Sequence, residues 1–419
     1  MEDMLYKELV RLGVHPDSID AEKLSEEIGI HMERGLSGEE GSMMMIPTFL
    51  FSGGSLKLEE PVAVIDAGGT NLRTALVVFR ESGAEILEQH RTAMPGTEGP
   101  VSTEGMYDRF VETVLPIMPE SGKLALCFSY AFQSLPDGEA RIITMGKEVM
   151  IEGCEGSLVR EGMLDAFKRA GYSGIPQITV LNDTAAVLFS ALISGSDNSV
   201  GFILGTGMNA AYFERTEDIR KISAEPGRYM AVNMEAAYFS DPPMGTVDRL
   251  VDEHSRNRGR ALLEKMVSGA YLGEIAYRCT LLLAEERLIS RESLRSIENA
   301  GEFSVRYMTE LIENSSGPYA GLCSGSGDID ALREVFLSVE RRAGKLTAAL
   351  VAAVIKKITY ETGSTVTVAV NGSTIRLNRN IRGEFEKWLR ELLGENGSFT
   401  ITEREDDTLV GSAAAAFCG

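Results

Sequence analysis

The chain has 419 residues, 44% hydrophobic and 25% charged, the composition of a soluble globular protein and a length suited to two or three core-forming units. Its 62 acidic residues outweigh 41 basic ones for a net charge of −21, which argues against general affinity for nucleic acid or an anionic membrane. No apolar run is long enough to span a bilayer, and the N-terminus, with Glu2, Asp3 and Lys7, lacks the apolar core of a signal peptide. Five scattered cysteines (Cys127, Cys154, Cys279, Cys323, Cys418) and four separated histidines (His15, His31, His90, His254) show no metal-ligand spacing. Free thiols in a cytoplasmic setting are expected.

A short acidic helix opens the chain, and Leu24, Ile28 and Met32 predict a second over 21–34. Met43–Phe51 is apolar but interrupted by Pro47, and reads as an extended packing segment. Val62–Ile65 then reads as a buried strand ending at Asp66, Gly68-Gly69-Thr70-Asn71 as a turn, and Leu72–Phe79 as a returning strand, with a third strand from Glu85. Tyr107, Phe110, Val111, Val114 and Leu115 predict a helix. Lys123–Ser129 predicts a buried strand, joined through the Leu135-Pro136-Asp137-Gly138 turn to 139–144. A helix over 158–170 leads into a strand at Ile178–Asn182. The whole suggests a mixed sheet covered by helices.

The pattern then restarts. Val200–Leu204 is a strand, Gly205-Thr206-Gly207 a turn and Ala210–Glu214 a returning strand, which echoes the earlier hairpin and suggests an internal duplication. An amphipathic helix over 332–358 and a strand at Val366–Val370 follow, the strand ending in Asn371-Gly372-Ser373.

Asp66 to Arg73 carries the most chemistry. Gly68 and Gly69 permit a tight turn and leave amide N–H groups open to an anion. Thr70 and Asn71 add polar donors, Arg73 adds a fixed cation, and Asp66 stands where a hydrated Mg²⁺ can be held. The stretch reads as a phosphate clamp. Asn182-Asp183 follows a strand directly; on local grounds it is at least as readily a helix cap as a reactive carboxylate. Likewise, Glu264 by itself reads as a solvated helix residue and Asn209 as part of a turn.

Asp66-Ala-Gly-Gly-Thr-Asn-Leu-Arg73 resembles the first phosphate motif of the hexokinase family, within the actin-like ATPases and sugar kinases. Five more stretches resemble that family in its own order: Leu181–Thr184, Gly205–Asn209 (second phosphate motif), Val232–Glu235, Glu264–Glu274 and Val370–Ser373 (adenosine motif). Supporting likeness runs from about Met32 to Ala416. The resemblance implies an α/β, two-domain, actin-like ATPase (ribonuclease H-like) fold with a hinged cleft. Residues 1–60 would be a helical segment packing on the large domain, 61–199 a small domain completed by 406–419, and 200–405 the large domain. It implies a hexokinase that transfers the γ-phosphoryl of ATP, with Mg²⁺, to the 6-hydroxyl of a hexose, most naturally glucose. Asp183 and Arg73 would be catalytic. Ser129, Lys147, Asn182, Asp183, Asn209, Glu235 and Glu264 would bind the sugar. Asp66, Gly68, Gly69, Thr70, Asn71, Gly205, Thr206, Gly207, Gly372 and Ser373 would bind ATP, with Asp66 reaching Mg²⁺ through water.

The likeness is weakest near the sugar. Ser129-Tyr-Ala-Phe-Gln133 lacks the family's proline, Gly146 replaces a sugar-contacting threonine, and Asn371 stands where aspartate is common. A sugar sensor with little or no catalysis is the alternative. Nothing in the sequence indicates an oligomeric state.

Overall fold

The computed structural model describes residues 2–39, 43–146, 149–174, 176–194, 198–301, 303–315, 317–362, 364–394 and 397–418. Helices α1 (Glu2–Leu12) and α2 (Ala21–Ser37) open the chain. Asp20 caps α2 by accepting from the Lys23 N–H, and Gly38 stops it in the left-handed conformation. The apolar stripe of Leu24, Ile28 and Met32 is buried in the largest core cluster among the described residues.

Strand β1 (Ile46–Phe51) follows. The extended packing segment expected here is thus a true strand, and the reason it accommodates Pro47 is its place at a sheet edge, where a missing N–H leaves no ladder bond unmade. Next come β2 (Val62–Ala67), β3 (Asn71–Arg80) and β4 (Gly83–Ala93), an antiparallel meander. After β5 (Val101–Ser102), helix α3 (Thr103–Val114) leads to β6 (Lys123–Phe128). The turn at Leu135–Gly138 does not fold back onto β6. It closes a separate ribbon of β7 (Ala131–Ser134) and β8 (Ala140–Thr144), because β6 is already flanked by parallel strands on both sides. Then β9 (Ile151–Glu152), α4 (Val159–Arg169), β10 (Gln177–Leu181) and α5 (Asp183–Ala191) complete the first half.

The second half repeats the opening with β11 (Ser199–Leu204), β12 (Met208–Arg215) and β13 (Tyr229–Asn233). Helices α6 (Thr246–His254), α7 (Leu262–Val267), α8 (Leu272–Glu285), α9 (Arg291–Ala300) and α10 (Val305–Asn314) are followed by the long α11 (Ser326–Thr362). The chain ends with β14 (Val366–Asn371), α12 (Ser373–Leu377), α13 (Arg379–Leu393), β15 (Phe399–Thr402) and α14 (Asp407–Ala415). Among the described residues, no helix is long and apolar enough to cross a membrane.

Sheet order makes the duplication plain. One sheet runs β10-β6-β2-β3-β4 and the other β15-β14-β11-β12-β13, with β1 added at its edge. In both, a leading hairpin has parallel strands on one side and an antiparallel third strand on the other. Each half closes with a helix, α5 or α14, and these two pack on one another between the sheets. Their shared core joins Val62 and Val64 of one sheet to Ala211, Phe213 and Ala231 of the other. The approach demands missing side chains: a Cβ on Gly411 would overlap the Ala186 carbonyl, and one on Gly201 would stand 2.5 Å from the Leu188 nitrogen.

Candidate functional site

Parallel strands end together, so the residues after β2 and β10 emerge at one edge of their sheet. Asp66 lies near the end of β2, buried, and opposite Arg73 in the β2–β3 register. The Arg73 Nε donates to Asp66 Oδ2 at 3.0 Å, and Nη2 bonds the same oxygen. Thr408 on α14 donates to Asp66 at 3.0 Å and accepts from Arg73 Nη2 at 2.7 Å. Arg73 also faces Asp406 at 3.8 Å. The guanidinium that the sequence offers as a fixed cation is held by carboxylates, and the first hairpin is tied to the last helix.

In the turn itself, the Gly68 N–H donates to Asn71 O at 3.0 Å, while Gly69 and Thr70 lie exposed at the tip. Tyr130, just past β6, braces the turn by donating its hydroxyl to the Gly68 carbonyl at 2.7 Å. Asn182 caps α5 by accepting from the Ala185 N–H at 3.0 Å, so the capping role open at sequence level is real. Asp183 does something else. Its Oδ1 takes two bonds from Thr184, from N–H at 2.7 Å and hydroxyl at 3.1 Å, while Oδ2 takes none within the described residues. Burial raises the Asp183 carboxyl above the usual aspartate range; the Thr184 bonds oppose this, and the charge of Asp66 adds to it.

The second sheet brings up its own carboxylates. Glu235 follows β13 in a left-handed conformation (φ 54°), which an acidic residue adopts only when its surroundings enforce it. It accepts from Asn233 Nδ2 at 2.6 Å and Asn209 Nδ2 at 3.3 Å, while Asn209 Oδ1 accepts from the Ala210 and Ala236 N–H groups. Burial raises Glu235, the Asn233 bond lowers it, and the Asp183 charge raises it again. Glu264, on α7, is raised by burial, lowered by the Met208 N–H it accepts from at 3.0 Å, and raised by Glu235. Asp66, Asp183, Glu235 and Glu264 thus form one electrostatic string that crosses from the first half to the second. Gly207 leaves room for it, since a Cβ there would stand 2.8 Å from Glu264 Oε2.

Around the second hairpin three loops converge on one backbone carbonyl. The Gly205 carbonyl accepts from Gly269 N–H and from Thr374 Oγ1, both at 2.8 Å. Gly372 (φ 105°) packs on Leu204, Ser373 begins α12, and Thr206 is exposed at the tip. Asn371 takes up its own Gly372 N–H at 2.7 Å.

Ser129 lies apart from the carboxylate string as far as its bonds go: its N–H donates to Ala67 O at 3.1 Å. Lys147 falls outside the described residues. Residues that the sequence reading passed over are Thr408, Tyr130, Thr184 and Asn233. Asn233 has a signal within the Val232–Glu235 motif and Thr184 adjoins Asp183, but Thr408 lies 342 positions from its partner Asp66 and gives none. No cluster of three metal-binding side chains exists among the described residues. That donor set does not suit a dedicated metal cage. It does fit a hydrated Mg²⁺ carried mainly by phosphate oxygens, which needs only one or two carboxylates such as Asp66 and Asp183.

Two sheets opened by glycine hairpins, clasping a helix pair and contributing carboxylates to one site, define an actin-like α/β protein. Two models, both described as hexokinase, match residues 13–193 and 199–418, and the chain belongs to the hexokinase family. It is 28% identical to hexokinase-3 of Mus musculus over 405 residues, covering 91% of this chain and 44% of that protein. To hexokinase-2 of Rattus norvegicus it is 28% identical over 412 residues, covering 92% and 45%. The chain thus spans less than half the length of these relatives. Among solved structures it resembles the Schistosoma mansoni hexokinase complexed with glucose, with a TM-score of 0.80, 23% identity and 99% of both chains covered. A second hexokinase crystal structure gives a TM-score of 0.81 at 22% identity. These likenesses establish the fold.

Proposed function

We propose that this chain is an ATP-dependent hexokinase that phosphorylates the 6-hydroxyl of a hexose, with glucose the leading substrate. The observation that carries the reading is the string from Asp66 through Asp183 and Glu235 to Glu264, which links a phosphate-type hairpin to side chains suited to a polyol. Carboxylates and amides suit a sugar because each hydroxyl both donates and accepts. Asn182, Asn209, Glu235 and Glu264 hold the hexose, with Ser129 and Lys147 as further candidates. The Gly68–Asn71 and Gly205–Gly207 turns and Gly372–Ser373 hold the nucleotide. Magnesium bound with the nucleotide would neutralise charge on its phosphates.

Asp183 is the base, through the oxygen that Thr184 leaves open. As O6 attacks the γ-phosphorus in line, its proton passes to Asp183, and the bond from that phosphorus to the bridging oxygen breaks to release ADP. Arg73 and Thr408 hold the Asp66 carboxylate fixed beside the phosphates. A two-domain arrangement hinged at α5 and α14 would close over the sugar and exclude water. The free thiols of Cys127, Cys154, Cys279 and Cys323 support a reducing, cytoplasmic location.

The test is ADP release from Mg-ATP across a panel of hexoses. Turnover on glucose or a near relative should fall by about 10²–10⁴ in kcat in Asp183→Asn. Sugar binding by calorimetry without turnover in the wild type would replace this reading with the sensor. Because burial and the Asp66 charge raise Asp183, the acid limb of the rate profile should lie above the ordinary aspartate value of about 3.9. A limb at or below that value would remove Asp183 as the base.

A further inference from the structure

Between α6 and α7 the chain reads Ser255-Arg-Asn-Arg-Gly-Arg260, with arginines alternating at 256, 258 and 260 in a chain of net charge −21. All of these arginines are exposed. The loop that carries them is pinned from below. Lys265, 2% exposed, donates Nζ to Asp252 Oδ1 at 2.6 Å and to the Asn257 carbonyl at 2.9 Å. Asp252 accepts the Gly259 N–H through both oxygens, at 2.9 and 3.1 Å, and the Arg260 N–H closes a turn on the Asn257 carbonyl at 3.0 Å. A buried ion pair therefore fixes the backbone that presents the arginines and leaves their guanidinium groups out of it. Arg258 faces Glu253 at 3.7 Å, while Arg256 and Arg260 have no carboxylate partner among the described residues. The loop leads into the carboxylate string. Ala261, left-handed at φ 51°, turns the chain into α7, whose first turn carries Glu264. Helix α7 packs on the Ala236–Tyr238 turn that follows Glu235. Burial raises the Tyr238 hydroxyl, the charges of Glu235 and Glu264 raise it further, and Arg260 lowers it, so Arg260 shares the surroundings of both carboxylates. In the order of the string Arg260 stands beside Glu264, away from Asp183.

We propose that Arg256, Arg258 and Arg260 form an anion-binding lip on the sugar site, with Arg260 making the contact, and that its ligand is a phosphate or sulfate group held beside the end of the hexose away from the phosphorylated hydroxyl. Guanidinium forks suit such oxygens, and arginines crowded on a preformed loop repel one another until an anion arrives. A charged substituent on the sugar and a separate anion bound next to it share this chemistry. The inference rests on the sugar site proposed above.

Calorimetric titration of the full chain tests it, using the neutral hexose found in the substrate panel, its 1-phosphate and 2-sulfate esters, and inorganic phosphate with and without the hexose. The wild type should bind one of the esters, or phosphate beside the hexose, with an affinity that falls as salt rises. Arg260→Gln should weaken that ligand by about tenfold and Arg256→Gln by about threefold, with neutral-hexose affinity unchanged in both. Preference for an ester identifies a substituted sugar as the ligand, and phosphate binding without that preference identifies a separate anion. No anion binding in the wild type, or wild-type anion affinity in Arg260→Gln, would overturn the inference and leave the kinase standing. An equal loss for anion and neutral hexose would also overturn it, reducing Arg260 to a charge that shapes the sugar site. Anion binding that needs Arg260 in a protein unable to phosphorylate any hexose would do the reverse, sinking the kinase reading alone.

Discussion

At the end of β2, Asp66 meets Arg73 across the hairpin, and a charged pair forms that reaches Thr408 on the last helix. At the matching place on β11, Ile203 meets Asn209, a pair without charge. Its turn is also one residue shorter: Leu204 pairs with Met208, whereas Ala67 pairs with Leu72. The second hairpin is instead packed by glycine backbone, with Gly372 against Leu204 and Gly269 donating to Gly205, and the side-chain amide of Asn209 turns to Asn233 and Glu235. One strand plan has thus taken up two chemistries. Amide N–H groups come with any glycine turn, so the side chains beside them are free to diverge, toward a buried ion pair in one half and toward a cluster of amides and carboxylates in the other.

The difference breaks most severely at the charged pair. Arg73→Gln leaves Asp66 buried without its counter-ion and should cost about 3 kcal/mol or more in denaturant unfolding, together with nucleotide turnover. Wild-type stability would show that Thr408 alone holds Asp66. A glycine comparison comes next. Gly372 has φ 105° and a Cβ there would collide with the Leu204 carbonyl, so Gly372→Ala should cost about 1–3 kcal/mol. A Cβ on Gly68 meets only Asn71 O at 3.4 Å, so Gly68→Ala should fold normally and lose nucleotide affinity. Equal stability losses in the two variants would erase the contrast between a packed and an open hairpin.

The smallest effect has the opposite sign. Burial raises the Glu264 carboxyl, so the folded chain holds that proton more tightly than the unfolded one, and stability from this group falls as pH rises through the raised value. Glu264→Gln removes that decline. Its Tm should exceed the wild type near neutral pH, with the gap closing on acidification, while sugar affinity drops. A lower Tm at neutral pH would mean that the Met208 bond needs a full carboxylate.

Much of this was legible beforehand. The strands either side of Gly68 and Gly205 follow from apolar runs bounded by glycine, and α2, α3 and α11 follow from their helical stripes. The Asp66, Asp183, Glu235 and Glu264 motifs are each contiguous in sequence, which is why they could be picked out one by one. The irregular places were less clear. Ile46–Phe51 gives no alternation because its strand is an edge with a register shift between Pro47 and Phe51, and β7 is too short to carry a period. The tie of Arg73 to the last helix gave no signal, because its partners Asp406 and Thr408 lie 333 and 335 positions away.

Local chemistry is therefore what the sequence by itself determined: two glycine hairpins, an Asn-Asp cap, acidic residues in motifs, and the repeated strand pattern. Only the tertiary structure decided which of these groups meet. The string from Asp66 to Glu264 exists because α5 packs on α14 through Ala186 and Gly411 and on β11 through Gly201, which brings two sheets together, and burial at that junction raises the carboxyls of Asp183, Glu235 and Glu264. Desolvation and long-range charge depend on distance in space, and neither can be read from spacing along a chain.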